Sequence, residues 1–211
     1  MNTQIKNQTN NATVLPWGRS LVIILHGTML LCLMLIAGQV SALEFKQVQM
    51  NESSVTFGYK QMGVPMEGKF NKFSAQISFD PATLAKAQAK IDIDVASIDT
   101  GSADANEEVA GKLWFNTKAF PAASFVSTGI KALGGNRYQA TGKLSIKGKT
   151  LDVVTPVTFQ ATGTHGVFEG TFAIKRLNYA IGEGEWTDVG TVADEIQIKF
   201  HIVVNASPSK K

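Results

Sequence analysis

Asp92, Asp94 and Asp99 are the residues whose types and spacing most invite a chemical reading. Paired carboxylates carry acid/base chemistry or hold a cation when a cleft drives their pKa values apart. Asp92 and Asp94, however, share the polar face of one alternating segment, which is the place of a solvated outer surface. His165 stands in a glycine-rich turn and His201 on the polar face of the last alternating segment. Without local partners they read as surface residues rather than metal ligands. Ser53, Ser54 and Ser207 lack the glycine-flanked turn that exposes a catalytic serine. Arg176, Lys147 and Lys149 could meet an anionic head group, but their turn-like settings favour solvated cations. These residues predict no catalytic group, no metal ligand and no cofactor.

The elements that would position any site lie in a chain of 211 residues, 44% hydrophobic and 18% charged. That is enough for one sizeable core. Nineteen glycines and many Val, Ile, Phe and Thr residues favour β structure. Residues 1–42 hold Lys6 and Arg19 and no acidic residue, so the net charge of +3 falls to about +1 beyond them. That balance excludes a nucleic-acid reading. Residues 1–20 are polar, residues 21–37 are largely apolar, and Val40 and Ala42 fit a signal-peptidase site cutting before Leu43. The apolar run approaches the length of an uncleaved anchor, which is the rival reading. Cys32, the single cysteine, lies inside this run after Leu31. It lacks the small preceding residue of a lipidation site, so no lipid anchor is expected. Cleavage leaves a chain without thiol or disulfide chemistry. This signal type and cysteine-free body look bacterial and point to the periplasm. Residues 1–42 are thus read as signal, 43–206 as the folded domain and 207–211 as a polar tail.

Within the domain, alternation dominates. Val55 and Phe57 share a face, as do Ile77 and Phe79, and Ile91, Ile93 and Val95. Tyr138, Ala140, Leu144 and Ile146 form another row, and Val157 and Phe159 another. Phe172 with Ile174, and Ile198 with Phe200, complete the pattern, and Phe125 sits on a short strand of its own. Residues 66–79 read as one strand with a bulge near Asn71 and Lys72, residues 82–89 as a turn or two of helix, and residues 90–98 as a strand. Lys147-Gly148 reads as a hairpin turn. Pro156 makes its strand edge-like or bulged. The period changes in residues 105–128. Val109, Leu113, Trp114 and Phe115 predict a short helix from about Glu107 to Phe115, capped by Asp104 or Asn106 and ended by Phe120-Pro121. Its rings must close one end or flank of a barrel. About eight hairpin-linked strands with one apolar face each fit an antiparallel up-and-down barrel or a sandwich. The pattern alone does not separate a filled interior from a ligand cavity.

An ordered set of short motifs carries a resemblance across residues 48–206. It includes Ser54-Val55-Thr56-Phe57, Gly68-Lys69-Phe70, Ile77-Ser78-Phe79-Asp80-Pro81 and Ala96-Ser97-Ile98-Asp99-Thr100-Gly101. Trp114-Phe115, Phe120-Pro121, Gly142-Lys143-Leu144-Ser145-Ile146-Lys147-Gly148 and Lys175-Arg176-Leu177-Asn178-Tyr179 follow in order. The chain resembles the YceI-like family, periplasmic lipocalin-like proteins that bind polyisoprenoids and other long amphiphiles. The family often has a histidine where Gln61 stands, and an acidic-histidine run where this chain reads Asn106-Glu107-Glu108-Val109. No histidine role is carried over to those positions.

The resemblance implies an all-β, eight-stranded lipocalin-like barrel with short helices, an apolar cavity and a helix at one end or flank. The apolar rows would then line the cavity: Val55, Phe57, Phe79, Ile91, Ile93, Val95, Phe125, Tyr138, Ala140, Leu144, Ile146, Val157, Phe159, Phe172, Ile174, Ile198 and Phe200. The implied ligand is an isoprenoid or fatty amphiphile, carried, stored or sequestered without catalysis. The protein would be a monomer or homodimer that touches a membrane to collect lipid. An enzyme acting on such a lipid, and a filled barrel acting through its surface, are the rival readings.

Overall fold

In the computed structural model, residues 43–208 are described. The expected signal segment and its cleavage position after Ala42 lie outside them. Eleven strands form a single antiparallel sheet: β1 (Leu43–Val48), β2 (Ser54–Gln61), β3 (Val64–Phe70), β4 (Phe73–Ser78), β5 (Gln88–Asp94), β6 (Ile98–Asp99), β7 (Ala122–Gly134), β8 (Arg137–Ile146), β9 (Lys149–Thr162), β10 (His165–Lys175) and β11 (Glu195–Pro208). The last strand runs through Ser207 and Pro208, which pair with Glu44 and Leu43, so the expected tail starts inside the sheet.

The eleven strands reduce to eight courses, three of them interrupted. β11 pairs with β2 along Gln197–His201 and with β1 from Val204 onward, so β1 and β2 share one side of it. β3 pairs with β2 and β6, whereas β4 pairs with β5 and touches β1 through the Phe45–Phe79 bridge. The sheet thereby curls into a barrel.

Residues 66–79 are therefore not one bulged strand. Asn71 and Lys72 form a corner, held by Asn71 N–H donating to Ser97 O (3.0 Å) and Asp94 N–H donating to Lys72 O (3.1 Å). The expected strand 90–98 breaks at the same level. Asp94 accepts the Ala96 N–H and starts a 3-10 turn at Val95–Ser97. The expected helix at 82–89 shrinks to a 3-10 turn at Leu84–Lys86. Asp80 accepts the Ala82 N–H and the Thr83 hydroxyl, fixing a local turn instead. Asp99 likewise serves a turn, accepting the Gly101 N–H, and Asp92 pairs with Lys90 at 2.8 Å.

The helix also sits earlier than expected. It is α1 (Ala103–Ala110), capped by Ser102, whose hydroxyl accepts the Ala105 N–H. Asn106 is no cap: its carbonyl oxygen is turned back to accept the Thr100 N–H and hydroxyl. Trp114 and Phe115 follow in turns, with Trp114 buried. The Lys147-Gly148 turn has positive φ at both residues, as a tight two-residue hairpin requires. Pro156 lies beyond the end of the β9–β10 ladder, which stops at Thr158 and Glu169, so no N–H is needed on that side.

Candidate functional site

The inward rows of the barrel line two adjoining cavities. The narrow one, about 130 Å³, is lined from β4, β5 and the lower parts of β7–β11. Phe79, Ile91, Phe125, Tyr138, Ala140, Val157 and Phe200 lie on its wall. The wide one, about 450 Å³, is lined by β2, β3, β6, α1 and the turns after α1 and β10. Phe57, Val95, Ile146 and Ile174 belong to it alone. Val55, Ile93, Leu144, Phe172 and Ile198 line both cavities, which therefore adjoin inside the barrel.

Phe159 is the exception among the expected lining residues. It is 4% exposed and stacks on Phe168 with centroids 4.4 Å apart. Edge contacts join it to Phe45 (4.9 Å) and Phe79 (4.8 Å). These rings, with Ile202 and Val204, form a packed floor below the narrow cavity. Its strand parity does point it inward; the barrel is filled at that level.

Three inward rings lie against the wall because glycine lets them. Phe57 covers Gly68, its cross-strand partner, and Phe200 covers Gly170 in the same way. Phe125 covers Gly142 diagonally. A Cβ at these glycines would stand 2.7 Å from Phe57 Cε2, 2.7 Å from Phe200 Cε1 and 2.6 Å from Phe125 Cζ. A glycine inside a strand signals such a close approach. Rings lying against bare backbone leave the middle of the lumen open.

The wide cavity carries the polar groups. Arg176 is 1% exposed, against the sequence expectation of a solvated cation. Its Nε donates to Ala193 O (3.1 Å) and its Nη1 to Ile181 O (2.9 Å) and Gly182 O (3.3 Å). Its Nη2 donates to Trp186 O and Val192 O, both at 2.7 Å. Burial depresses the guanidinium pKa from its ordinary value, and the Asp194 charge opposes that. Its centre also lies 5.3 Å from the Trp114 ring centroid. The irregular chain after β10 has no ladder for these carbonyls, and the guanidinium satisfies them instead. That stretch, glycine-rich and without alternation, was the available signal: its carbonyls needed donors from somewhere.

Lys147 is buried too, with its side chain 6% exposed. It donates to Ala180 O (2.6 Å), Lys112 O (3.2 Å) and Glu183 Oε2 (2.8 Å). Lys149 is exposed. Trp114 and Trp186 face each other at 5.2 Å, and neither indole N–H has an acceptor among the described residues. Leu113 O accepts the N–H groups of Gly182 and Glu183, which ties the Trp114 turn to the stretch held by Arg176. Gln61, Asp104 and Glu108 are the exposed polar members of the lining.

The residues considered for other chemistry are scattered. His201 Nδ1 lies 2.9 Å from Glu169 Oε1 on the outer face, and His165 is exposed at the start of β10. Among the described residues no three His, Cys, Asp or Glu side chains converge on a metal-sized site.

Known proteins share this architecture. Residues 47–204 match the family model of the YceI-like domain. The crystal structure of Burkholderia cenocepacia BcnA is 51% identical and superposes with a TM-score of 0.73, covering 74% of this chain and 99% of that one. A UPF0312 protein of Shewanella denitrificans is 34% identical over 119 residues, which span 59% of its length. A polyisoprenoid binding domain from Saccharophagus degradans, implicated in plant cell wall breakdown, is 16% identical with a TM-score of 0.59, covering 78% of this chain. At that identity it shows the shared fold alone.

Proposed function

The chain belongs to the YceI-like domain family, and on that premise we propose that it binds a long isoprenoid or fatty amphiphile along the barrel lumen. The observation that carries this reading is the lumen itself: two adjoining cavities with a largely apolar wall, closed below by packed aromatic rings. The Saccharophagus degradans domain of the same fold, named for polyisoprenoid binding, supports it. The energetics are sufficient. Burying roughly ten methylenes at about 0.8 kcal/mol each yields about 8 kcal/mol before ordering costs. Before those costs are subtracted, that is the scale of micromolar affinity, reached without any charged contact.

The protein acts in this reading as a carrier, store or sequestering agent rather than as a catalyst. Its place of work is the periplasm, reached through a signal cut between Ala42 and Leu43, and it collects its ligand at a membrane. Mass analysis of secreted protein should find Leu43 at the N-terminus; a retained Met1 on a membrane-bound form would remove this part of the reading.

The central test uses Ala140, 5% exposed, on the wall of the narrow cavity. Ala140→Trp should obstruct the lower lumen and weaken long prenyl chains while short fatty chains still bind. Native mass spectrometry and fluorescence displacement over a chain-length series read this out, with folding checked by circular dichroism. Equal losses at every length, or no binding by the unaltered protein, would mean that the apolar rows serve only as a core.

A further inference from the structure

Four exposed apolar side chains stand at the mouth of the wide cavity. Met62 and Val64 lie at the β2–β3 turn, Leu113 in the turns after α1 and Val189 in the irregular chain after β10. Their near neighbours in the chain, Gln61, Trp114 and Val192, line the cavity, and the exposure of Gln61 marks its opening. Backbone bonds hold these segments together. Met62 N–H donates to Thr191 O and Ala193 N–H to Lys60 O, both at 2.9 Å, and Leu113 O accepts the Gly182 N–H of the same irregular chain.

Met62 is held out at a conformational cost. Gln61 pairs with Val64, so Met62 and Gly63 form a two-residue turn, with φ of 50° and 80°. Glycine or asparagine suits the first place of such a turn, and methionine does not. Lys147 holds the same place in its own turn, but its ammonium group there meets Ala180 O, Lys112 O and Glu183. Met62 is 77% exposed. Val64 shares the inward parity of its partner Gln61 yet is 57% exposed, so it stands at the mouth rather than on the wall.

Four side chains on separate segments fall short of the about 800 Å² that each partner of a stable dimer buries. A bilayer asks for no matching shape. The exposed charged residues beside the tips, Lys60, Lys112, Glu185 and Asp188, cancel, and Glu183 pairs with Lys147. That balance suits a zwitterionic head-group layer rather than an anionic one.

We infer that Met62, Val64, Leu113 and Val189 seat the mouth of the barrel on a lipid bilayer by inserting into its head-group layer. This rests on the lipid-binding reading and deepens it, by assigning the surface through which the lipid is collected.

Flotation of the whole secreted protein with phosphatidylcholine vesicles tests this. The informative variant is Met62→Asn with Val64→Thr, because asparagine suits the turn and threonine keeps a branched strand side chain. Vesicle binding should fall roughly tenfold, while the denaturant midpoint holds or rises. Val154→Thr, at an equally exposed site (56%) on the outer wall, should leave vesicle binding unchanged. Added phosphatidylglycerol or high salt should alter binding less than twofold, about 0.4 kcal/mol. No vesicle binding, an equal loss in both variants, or binding that requires anionic lipid overturns the inference. So does a dimer in sedimentation that the double variant abolishes, which would give the tips to a second copy. Displacement of a fatty probe in vesicle-free solution reads the lumen separately. Probe binding without vesicle binding overturns the docking surface while lipid binding stands. Vesicle binding without probe binding overturns the lipid-binding reading and, with it, the collecting role.

Discussion

Gly170→Ala tests how the lumen is kept open. The new Cβ would stand 2.7 Å from Phe200 Cε1 and 2.6 Å from Pro156 O. Carbon atoms pack comfortably at about 3.5–4.0 Å, so the ring must retreat by about 1 Å. Phe200 lies between the wall and the narrow cavity, so its retreat runs into a space of about 130 Å³. Overpacking of this kind costs about 1–3 kcal/mol. Part of that belongs to the ring and part to the Pro156 carbonyl. Phe200→Leu in the same chain removes the ring contact and leaves the carbonyl contact. The double-mutant cycle should therefore show a coupling of about 0.5–3 kcal/mol, with Gly170→Ala milder once the ring is gone. Denaturant midpoints of the four proteins supply the stabilities, and displacement of a fluorescent fatty probe supplies binding. Gly170→Ala alone should weaken the long probe. Additive stabilities together with undiminished binding would refute the idea that Phe200 rests on Gly170 to clear the lumen.

Arg176→Lys should destabilise by on the order of 3 kcal/mol, because three ammonium donors face five buried carbonyls. Amide exchange should rise over residues 181–193, and a loss below about 0.5 kcal/mol would show that the carbonyls find other donors. Trp114→Ala, at a site 7% exposed, should cost about 3–5 kcal/mol, and an unmoved denaturant midpoint would place the ring outside the core. Glu44, Glu67 and Glu183 are held below the usual carboxylate range by hydrogen bonds from Lys46, Lys199 and Lys147 respectively. A carboxylate depressed in the folded state stabilises above its unfolded pKa and gives that up as pH falls through the folded value. The melting temperature should decline below about pH 4, and Glu→Gln at all three positions should flatten that limb; an unaltered limb would refute it.

Alternation made the inward faces legible, since strand parity alone separates Phe57 from Thr56 and Ile93 from Asp92. It did not reveal how deep each face lies. Phe159 and Phe200 share the same inward parity, yet one packs in the floor and the other borders the cavity. The corner at Asn71 and Lys72 was hidden because its hydrogen-bond partners, Ser97 and Asp94, lie far along the chain. Asn106 looked like a helix cap, as its side chain favours that role, but Thr100 engages it first. Arg176 looked solvated because a cation is usually taken to need a carboxylate, whereas here carbonyl dipoles hold it. The polar pole of the wide cavity was therefore the least legible part. It depends on which donors are already taken, and only the folded chain shows that.

The interruptions in three neighbouring courses give the barrel a stepped bore. In a regular barrel of eight strands, strand number and stagger set a single diameter along the axis. Here the chain breaks after β1, after β3 and after β5, and the last two breaks are cross-linked through Ser97. On one side of that belt β2, β3 and β6 bound the wide cavity; on the other, β4 and β5 bound the narrow one. One ring of strands thus carries two calibres. The belt acts like a reducer between pipes: it lets the upper calibre vary through changes in β2, β3 and β6 without re-registering the five uninterrupted strands that run past it.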